Sequence, residues 1–182
     1  RCEVLHPRVG ERINELGELI GNLSIRDRVP QIELSMGDEV CVLVFRVLDP
    51  PTEADIEQLL AFGERYDFSI YLQEGGPDTV KPAGEAATLT FALPDYGVEL
   101  EFLPIDFTQV NSGINRLMIN RAIELLQLKE GDQVLDLFCG LGNFTLPMAK
   151  IAERVTGVEG DSGLVARARM NAAQNGLDNE DF

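Results

Sequence analysis

The run Val134-Leu135-Asp136-Leu137-Phe138-Cys139-Gly140-Leu141-Gly142-Asn143-Phe144-Thr145 constrains this chain more than any other stretch. Val134-Leu135 is apolar and reads as a buried strand. From Asn143, with Leu146, Met148 and Ala149 following, the pattern predicts a helix. A strand, a glycine turn and a helix place backbone N–H groups at the carboxyl edge of a sheet. Gly140 and Gly142 let the chain turn sharply and let a ligand approach the backbone. Val155-Thr156-Gly157-Val158-Glu159 then reads as a second strand ending in an acid. An acid about 20 residues past such a turn can accept hydrogen bonds from ribose hydroxyls. The combination describes a site for an adenosine-containing cofactor.

The dinucleotide fingerprint needs a third glycine, G-x-G-x-x-G. Here that place is Thr145, and Asp136 precedes the turn. A carboxylate beside a pyrophosphate is repulsive. It suits S-adenosylmethionine (SAM) better, since that ligand carries a sulfonium and an ammonium. Two glycines alone also fit an ordinary strand-to-helix turn. Asp136, Asn143 and Glu159 together favour a ligand site.

The chain has 182 residues, enough for one large or two small domains. Its 45 % hydrophobic content argues for a globular protein, and no apolar run reaches the length of a membrane-spanning helix. Residue 1 is Arg, and the last residues stop where a third strand is expected to begin. We therefore read the chain as a piece of a longer protein, cut at both ends. Formal net charge is −16 at pH 7, with −12 in residues 1–103 and −4 in 104–182. That balance opposes extensive phosphate contact, which normally needs clustered Lys and Arg. Three widely spaced cysteines, Cys2, Cys41 and Cys139, imply no disulfide framework and a reducing compartment.

In chain order, apolar residues from Leu5 to Leu23 recur at helical spacing and predict a helix over 7–22. Strands are expected over 29–34 and 39–48, joined by a turn at Met36-Gly37-Asp38. Thr52 and Asp55 form a capping pair for a helix reaching Tyr66. Another strand follows at Phe68–Leu72. A hairpin is expected over 87–103, turning at Pro94-Asp95-Tyr96-Gly97. Residues 1–103 thus read as a small α+β domain with helices over an antiparallel sheet. The boundary is placed at Pro104, and 104–182 form the start of an α/β domain. Its helices are expected over 115–126 and 162–175, the latter closed by Gly176. His6, beside a proline at a helix start, reads as a cap or surface residue.

Phe107-Thr108-Gln109-Val110-Asn111, the Asp136–Thr145 run and Gly157-Val158-Glu159-Gly160 together resemble the SAM-dependent RNA 5-methyluridine methyltransferases. Gln109-Val110 and Phe138-Cys139-Gly140-Leu141-Gly142 resemble the bacterial 23S ribosomal RNA type more than the tRNA type. The resemblance implies a Rossmann-like SAM-dependent methyltransferase domain in 104–182 and an RNA-positioning role for 1–103. It implies methylation of C5 of a 23S ribosomal RNA uridine, in the cytoplasm, by a monomer. A tRNA 5-methyluridine methyltransferase, or another Rossmann-like SAM methyltransferase, is the alternative. Gln109, Phe138, Asn143 and Glu159 match SAM-contacting positions of the family, and Asp136, Gly140 and Gly142 complete the expected cofactor site.

The ribosomal type also carries a [4Fe–4S] cluster on four cysteines. The neighbourhood of Cys2 resembles that of the fourth ligand, and the other three are expected upstream. The family's chemistry uses a thiolate that adds to uracil C6 and a base that removes the C5 proton. Both are expected outside these residues. Cys139, inside the glycine turn, reads as packing, so no catalytic residue is assigned.

Overall fold

The computed structural model describes residues 5–182. The chain divides into two compact units. One holds the residues up to Ser35 together with Val40–Ala87, and the other holds Met36–Glu39 and Thr88–Phe182.

The first unit begins with two helices, α1 (Pro7–Gly10) and α2 (Ile13–Asn22), where the sequence predicted one. His6 caps α1, its Nδ1 accepting from the Arg8 N–H at 3.3 Å. A mixed sheet follows, made of β1 (Gln31–Met36), β2 (Cys41–Arg46), β3 (Ser69–Gln73) and β4 (Val80–Pro82) in that order. The helix α3 (Glu53–Tyr66) connects β2 to β3. Thr52 Oγ1 accepts from the Asp55 N–H at 3.2 Å, and Asp55 Oδ2 accepts from the Thr52 N–H at 2.9 Å. That is the expected capping box. Asp55 is buried and also receives the Ser24 N–H at 2.7 Å.

The expected antiparallel sheet is corrected here. β2 and β3 are parallel, with Val42 opposite Ser69 and Arg46 opposite Gln73. β3 and β4 pair antiparallel, with Tyr71 opposite Pro82 and Gln73 opposite Val80. The reason is the connection. A helix of 14 residues is about 21 Å long and carries the chain back along the strand before it. A signal was present: Cys41-Val42-Leu43-Val44-Phe45 is a continuous apolar run, and all five are buried. Such runs mark strands covered on both faces, as in parallel sheets. β4 was not foreseen, since it has three residues including Lys81 and Pro82. Proline fits there because β4 lies at the sheet's edge.

The second unit opens with the hairpin β5 (Leu89–Leu93) and β6 (Val98–Phe102), paired antiparallel as expected. Gly97 takes φ +60° in its turn, a region that favours glycine. Then come α4 (Ser112–Leu126), β7 (Gln133–Leu137), α5 (Thr145–Ala149), β8 (Arg154–Val158), α6 (Ser162–Gln174) and β9 (Glu180–Asp181). β7, β8 and β9 form one parallel sheet in that order. β9 begins where the third strand was expected.

The division falls before Thr88, not at Pro104, so the hairpin belongs with the parallel sheet. Two asparagines on α6 account for its place. The Glu101 N–H donates to Asn171 Oδ1 at 2.8 Å, and Asn171 Nδ2 donates to the Glu101 carbonyl at 3.1 Å. One turn along, Asn175 exchanges the same pair of bonds with Glu99, at 2.9 and 2.6 Å. Residues i and i+2 of a strand edge thus meet residues i and i+4 of a helix. The edge of β6 is satisfied without another strand. No helix among the described residues is long and apolar enough to cross a membrane.

Candidate functional site

β7 delivers Asp136 to the carboxyl edge of the parallel sheet. The chain then turns through three left-handed residues, Phe138 (φ +63°), Gly140 (φ +57°) and Gly142 (φ +99°). The Phe138 and Cys139 N–H groups both donate to the Val158 carbonyl, at 2.7 and 3.2 Å, which folds the turn over the end of β8. A left-handed φ is costly for a bulky residue. Here it leaves the Phe138 side chain 88 % exposed.

Gln109, Asp136, Phe138, Gly140 and Asn143 line one cavity of about 170 Å³. Five of the seven expected cofactor residues therefore meet in one place. Gly142 is not on the wall and serves the turn. Glu159 is one hydrogen bond away, its Oε2 accepting from the Gly140 N–H at 3.1 Å. Its Oε1 accepts from the Gly160 and Asp161 N–H groups at 2.7 and 3.0 Å. The Asp161 N–H bond, with those of Gly140 and Gly160, outweighs burial and holds the Glu159 carboxyl below its ordinary range. Asp161 in turn caps α6, accepting from Gly163 and Leu164.

Asp136 behaves the other way. Burial pushes its carboxyl up, opposed by bonds from Thr145, whose hydroxyl donates to Oδ2 at 2.6 Å. Cys139 is 5 % exposed, and burial, with Asp136 and Glu159 nearby, pushes its thiol up to about 11. A Cβ added at Gly157 would stand 2.9 Å from its sulfur. Cys139 is thus packed against β8 as a neutral thiol. Cys41 is buried in β2 with its thiol also at about 11, chiefly from burial.

The sequence did not single out Phe91, Phe107, Thr108, Leu141 and Phe144 as wall residues, although all five line the cavity. Phe107 and Thr108 adjoin Gln109 and could have been found from that. Phe91 comes from the hairpin and carries no local signal. Asn115 was also missed. Buried on α4, it donates to Asn143 Oδ1 and accepts from Asn143 Nδ2, each at 2.9 Å. A larger groove of about 470 Å³ lies in the first unit between α2 and α3 and contains none of the expected residues.

Cys2 lies outside the described residues. Among those described, no group of three or more His, Cys, Asp or Glu could hold a metal ion. Cys41 and Cys139 are each buried in a different unit. The described residues therefore do not form an iron–sulfur site.

Comparison with known proteins gives the arrangement a context. The family model for tRNA (uracil-5-)-methyltransferases matches residues 86–182, more than half of the chain. The chain belongs to this family. Members similar to it include 23S rRNA (uracil(1939)-C(5))-methyltransferases RlmD of Alkalilimnicola ehrlichii and Nitrosococcus oceani. Each is 54 % identical over 100 % of this chain. That of Cupriavidus necator is 51 % identical over 97 % of it. The chain spans 41 %, 40 % and 40 % of those three relatives. Among solved structures, the Pyrococcus abyssi tRNA (uracil-54, C5)-methyltransferase in complex with S-adenosyl-L-homocysteine shares the fold. Its TM-score is 0.68 at 21 % identity, covering 96 % of this chain and 45 % of that one. The Methanocaldococcus jannaschii tRNA m1G37 methyltransferase aligns at TM-score 0.56 and 12 % identity, covering 96 % of this chain and 50 % of that one. Family membership places the matched region from the hairpin onward, in agreement with the division at Thr88.

Proposed function

We propose that this chain carries part of the cofactor site of a SAM-dependent methyltransferase acting on C5 of a uridine in 23S ribosomal RNA. The observation that carries it is the meeting of Gln109, Asp136, Phe138, Gly140 and Asn143 at one sheet edge, with Glu159 beside them. The parallel order β7-α5-β8-α6-β9 is the opening of a Rossmann-like sheet, in which ligands sit at the carboxyl ends of the strands. The relatives named above favour ribosomal RNA over tRNA as the substrate.

Each side chain has a part that follows from its surroundings. Glu159 is held ionised by backbone donors, and its Oε2 keeps one lone pair for a ribose hydroxyl. Asp136 is half-buried and gains a cationic partner when a sulfonium or ammonium enters. Phe138 offers an exposed apolar wall. Asn143 spends one donor and one acceptor on Asn115 and keeps one of each for a methionine end. A cavity of 170 Å³ is smaller than the usual range for a whole ligand, so these residues supply one part of the binding surface.

SAM supplies a methyl group already activated as a sulfonium. Uracil C5 needs a thiolate at C6 to become nucleophilic. Neither Cys41 nor Cys139 suits that role, since both thiols are buried and neutral. The nucleophile and the base are therefore assigned to residues outside 1–182, and Cys2 to the cluster, on the resemblance alone. The first unit is assigned to RNA positioning, by shape more than by charge.

The test is methyl transfer from labelled SAM to 23S ribosomal RNA, with the product nucleoside identified by mass spectrometry. The full-length protein should yield 5-methyluridine, and Cys139→Ala should retain turnover. Residues 1–182 alone should yield none. Formation of 5-methyluridine by 1–182, abolished by Cys139→Ala, would overturn the assignment.

A further inference from the structure

Residues 103–111, between β6 and α4, bring Phe107, Thr108 and Gln109 to the cavity wall. Apolar packing does not fix this loop, for Phe107 is 80 % and Val110 99 % exposed. Its polar anchors lie at its ends. Asn111 Oδ1 accepts from the Ile114 N–H at 3.0 Å and starts α4. At the other end the Asp106 N–H donates to the Leu103 carbonyl at 2.9 Å, and the Leu103 N–H donates to Asp106 Oδ2 at 2.7 Å. These two bonds close a tight turn around Asp106.

The same carboxylate meets a guanidinium from α6. Arg167 Nη2 donates to Asp106 Oδ1 at 2.7 Å, and Nε stands 2.5 Å from Oδ2. The side chains of Arg167 and Asp106 are only 15 % and 4 % exposed. Most other ion pairs among the described residues are far more solvated, such as Arg28–Asp49. Only the Nη2 contact has hydrogen-bond alignment, and Nε makes no hydrogen bond, so the pair is one charge-assisted bond beside a second close charge contact, both sheltered from water. We propose that Arg167 is a positioning residue for the cofactor loop, acting through Asp106 to hold Phe107 and Gln109 at the cavity. α6 begins at Ser162, just after Glu159. One helix thus sets the spacing between Gln109 and Glu159. This rests on the proposal that Gln109 contacts SAM. If the pair served stability alone, removing it would lower the melting temperature with no link to Gln109.

The experiment uses the full-length protein, with S-adenosyl-L-homocysteine (SAH) as the calorimetric probe and hydrogen exchange read over 104–110. Arg167→Met keeps the apolar stem and removes the guanidinium. It should speed exchange in the loop and weaken SAH by about tenfold, the loss of one charged contact. Asp106→Asn should do the same, and Arg167→Lys should recover part of the loss. In a Gln109→Ala background, Arg167→Met should cost little further SAH affinity, while its effect on melting persists. Unchanged loop exchange and SAH affinity in Arg167→Met would overturn the proposal. So would full additivity with Gln109→Ala. A Gln109→Ala protein that binds SAH like wild type would instead overturn the cofactor-site reading, and loop exchange would still decide whether Arg167 holds the loop. Should Arg167→Met fail to fold, Arg167→Lys and Asp106→Asn carry the same comparison.

Discussion

Asn115 and Asn143 face each other amide to amide, each donating to the other at 2.9 Å. The pair joins α4 to the glycine turn and fixes which way the Asn143 amide points. Asn115 is 4 % exposed, so water does not replace it readily. Asn115→Ala leaves half of the Asn143 amide without its partner. The cost should be about 1–3 kcal/mol of stability, together with weaker SAH binding. Urea denaturation and calorimetry read the two effects separately. A protein unchanged in both would show that Asn143 needs no support from α4.

Glu159 collects three backbone N–H groups on one carboxylate. Glu159→Gln offers only one acceptor oxygen to those donors. Glu159→Ala removes any bond to ribose as well, and SAM affinity in the full-length protein should fall by roughly 1–3 kcal/mol. The folded pKa lies below the ordinary value of 4.5. The group's contribution is therefore complete above that value and disappears as pH falls through the lower folded one. SAH affinity should be flat on this account from neutral pH down to 4.5 and decline only below it, as the folded carboxylate takes up a proton. Equal binding by Glu159→Ala would remove the residue from the site, and tighter binding of NAD than of SAM would sink the cofactor assignment.

Asp55 is the corresponding acid of the first unit. Burial pushes its carboxyl up, but the bonds from Ser24 and Thr52 outweigh that and hold it at about 2, against 3.8 normally. Its stabilisation is whole above the unfolded value and is lost as pH falls through the folded one. The loss should be on the order of 2 kcal/mol. Asp55→Ala should lower stability by a similar amount at pH 7 and flatten the acid limb of the unfolding curve. Circular dichroism melts between pH 2 and 7 test this, and a variant with an unchanged acid limb would contradict it.

Asn171 is fully buried and serves both the β6 edge and the Leu141 carbonyl of the glycine turn, the latter at 3.3 Å. Asn171→Ala orphans the Glu101 N–H and carbonyl. It should cost about 1–3 kcal/mol and speed amide exchange across 98–102. Asn175→Ala, at a more exposed rung, should do less. Equal exchange in wild type and Asn171→Ala would mean that apolar packing alone docks the hairpin.

Much of this was legible in the chain. The Thr52–Asp55 box, the hairpin and the strand–turn–helix–strand run are local patterns, and each appears within a few residues of its expected bounds. The misses share a different character. The parallel pairing of β2 with β3 depends on where α3 returns the chain, although the run Cys41–Phe45 hinted at it. The hairpin was placed on the wrong side of the division because Asn171 and Asn175 look like ordinary polar helix residues until β6 lies beside them.

The sequence by itself determined where a glycine turn and an acid could meet, because the backbone freedom of Gly140 and Gly142 and the charge of Glu159 are set by residue type and spacing. Tertiary structure decided what else reaches that turn. Phe91 and Asn115 arrive there from elements distant along the chain, and Arg167 meets Asp106, next to Phe107 of the cavity wall. Their roles arise from distance and burial, as a guanidinium or an amide becomes directional only once its partner is fixed and water is excluded.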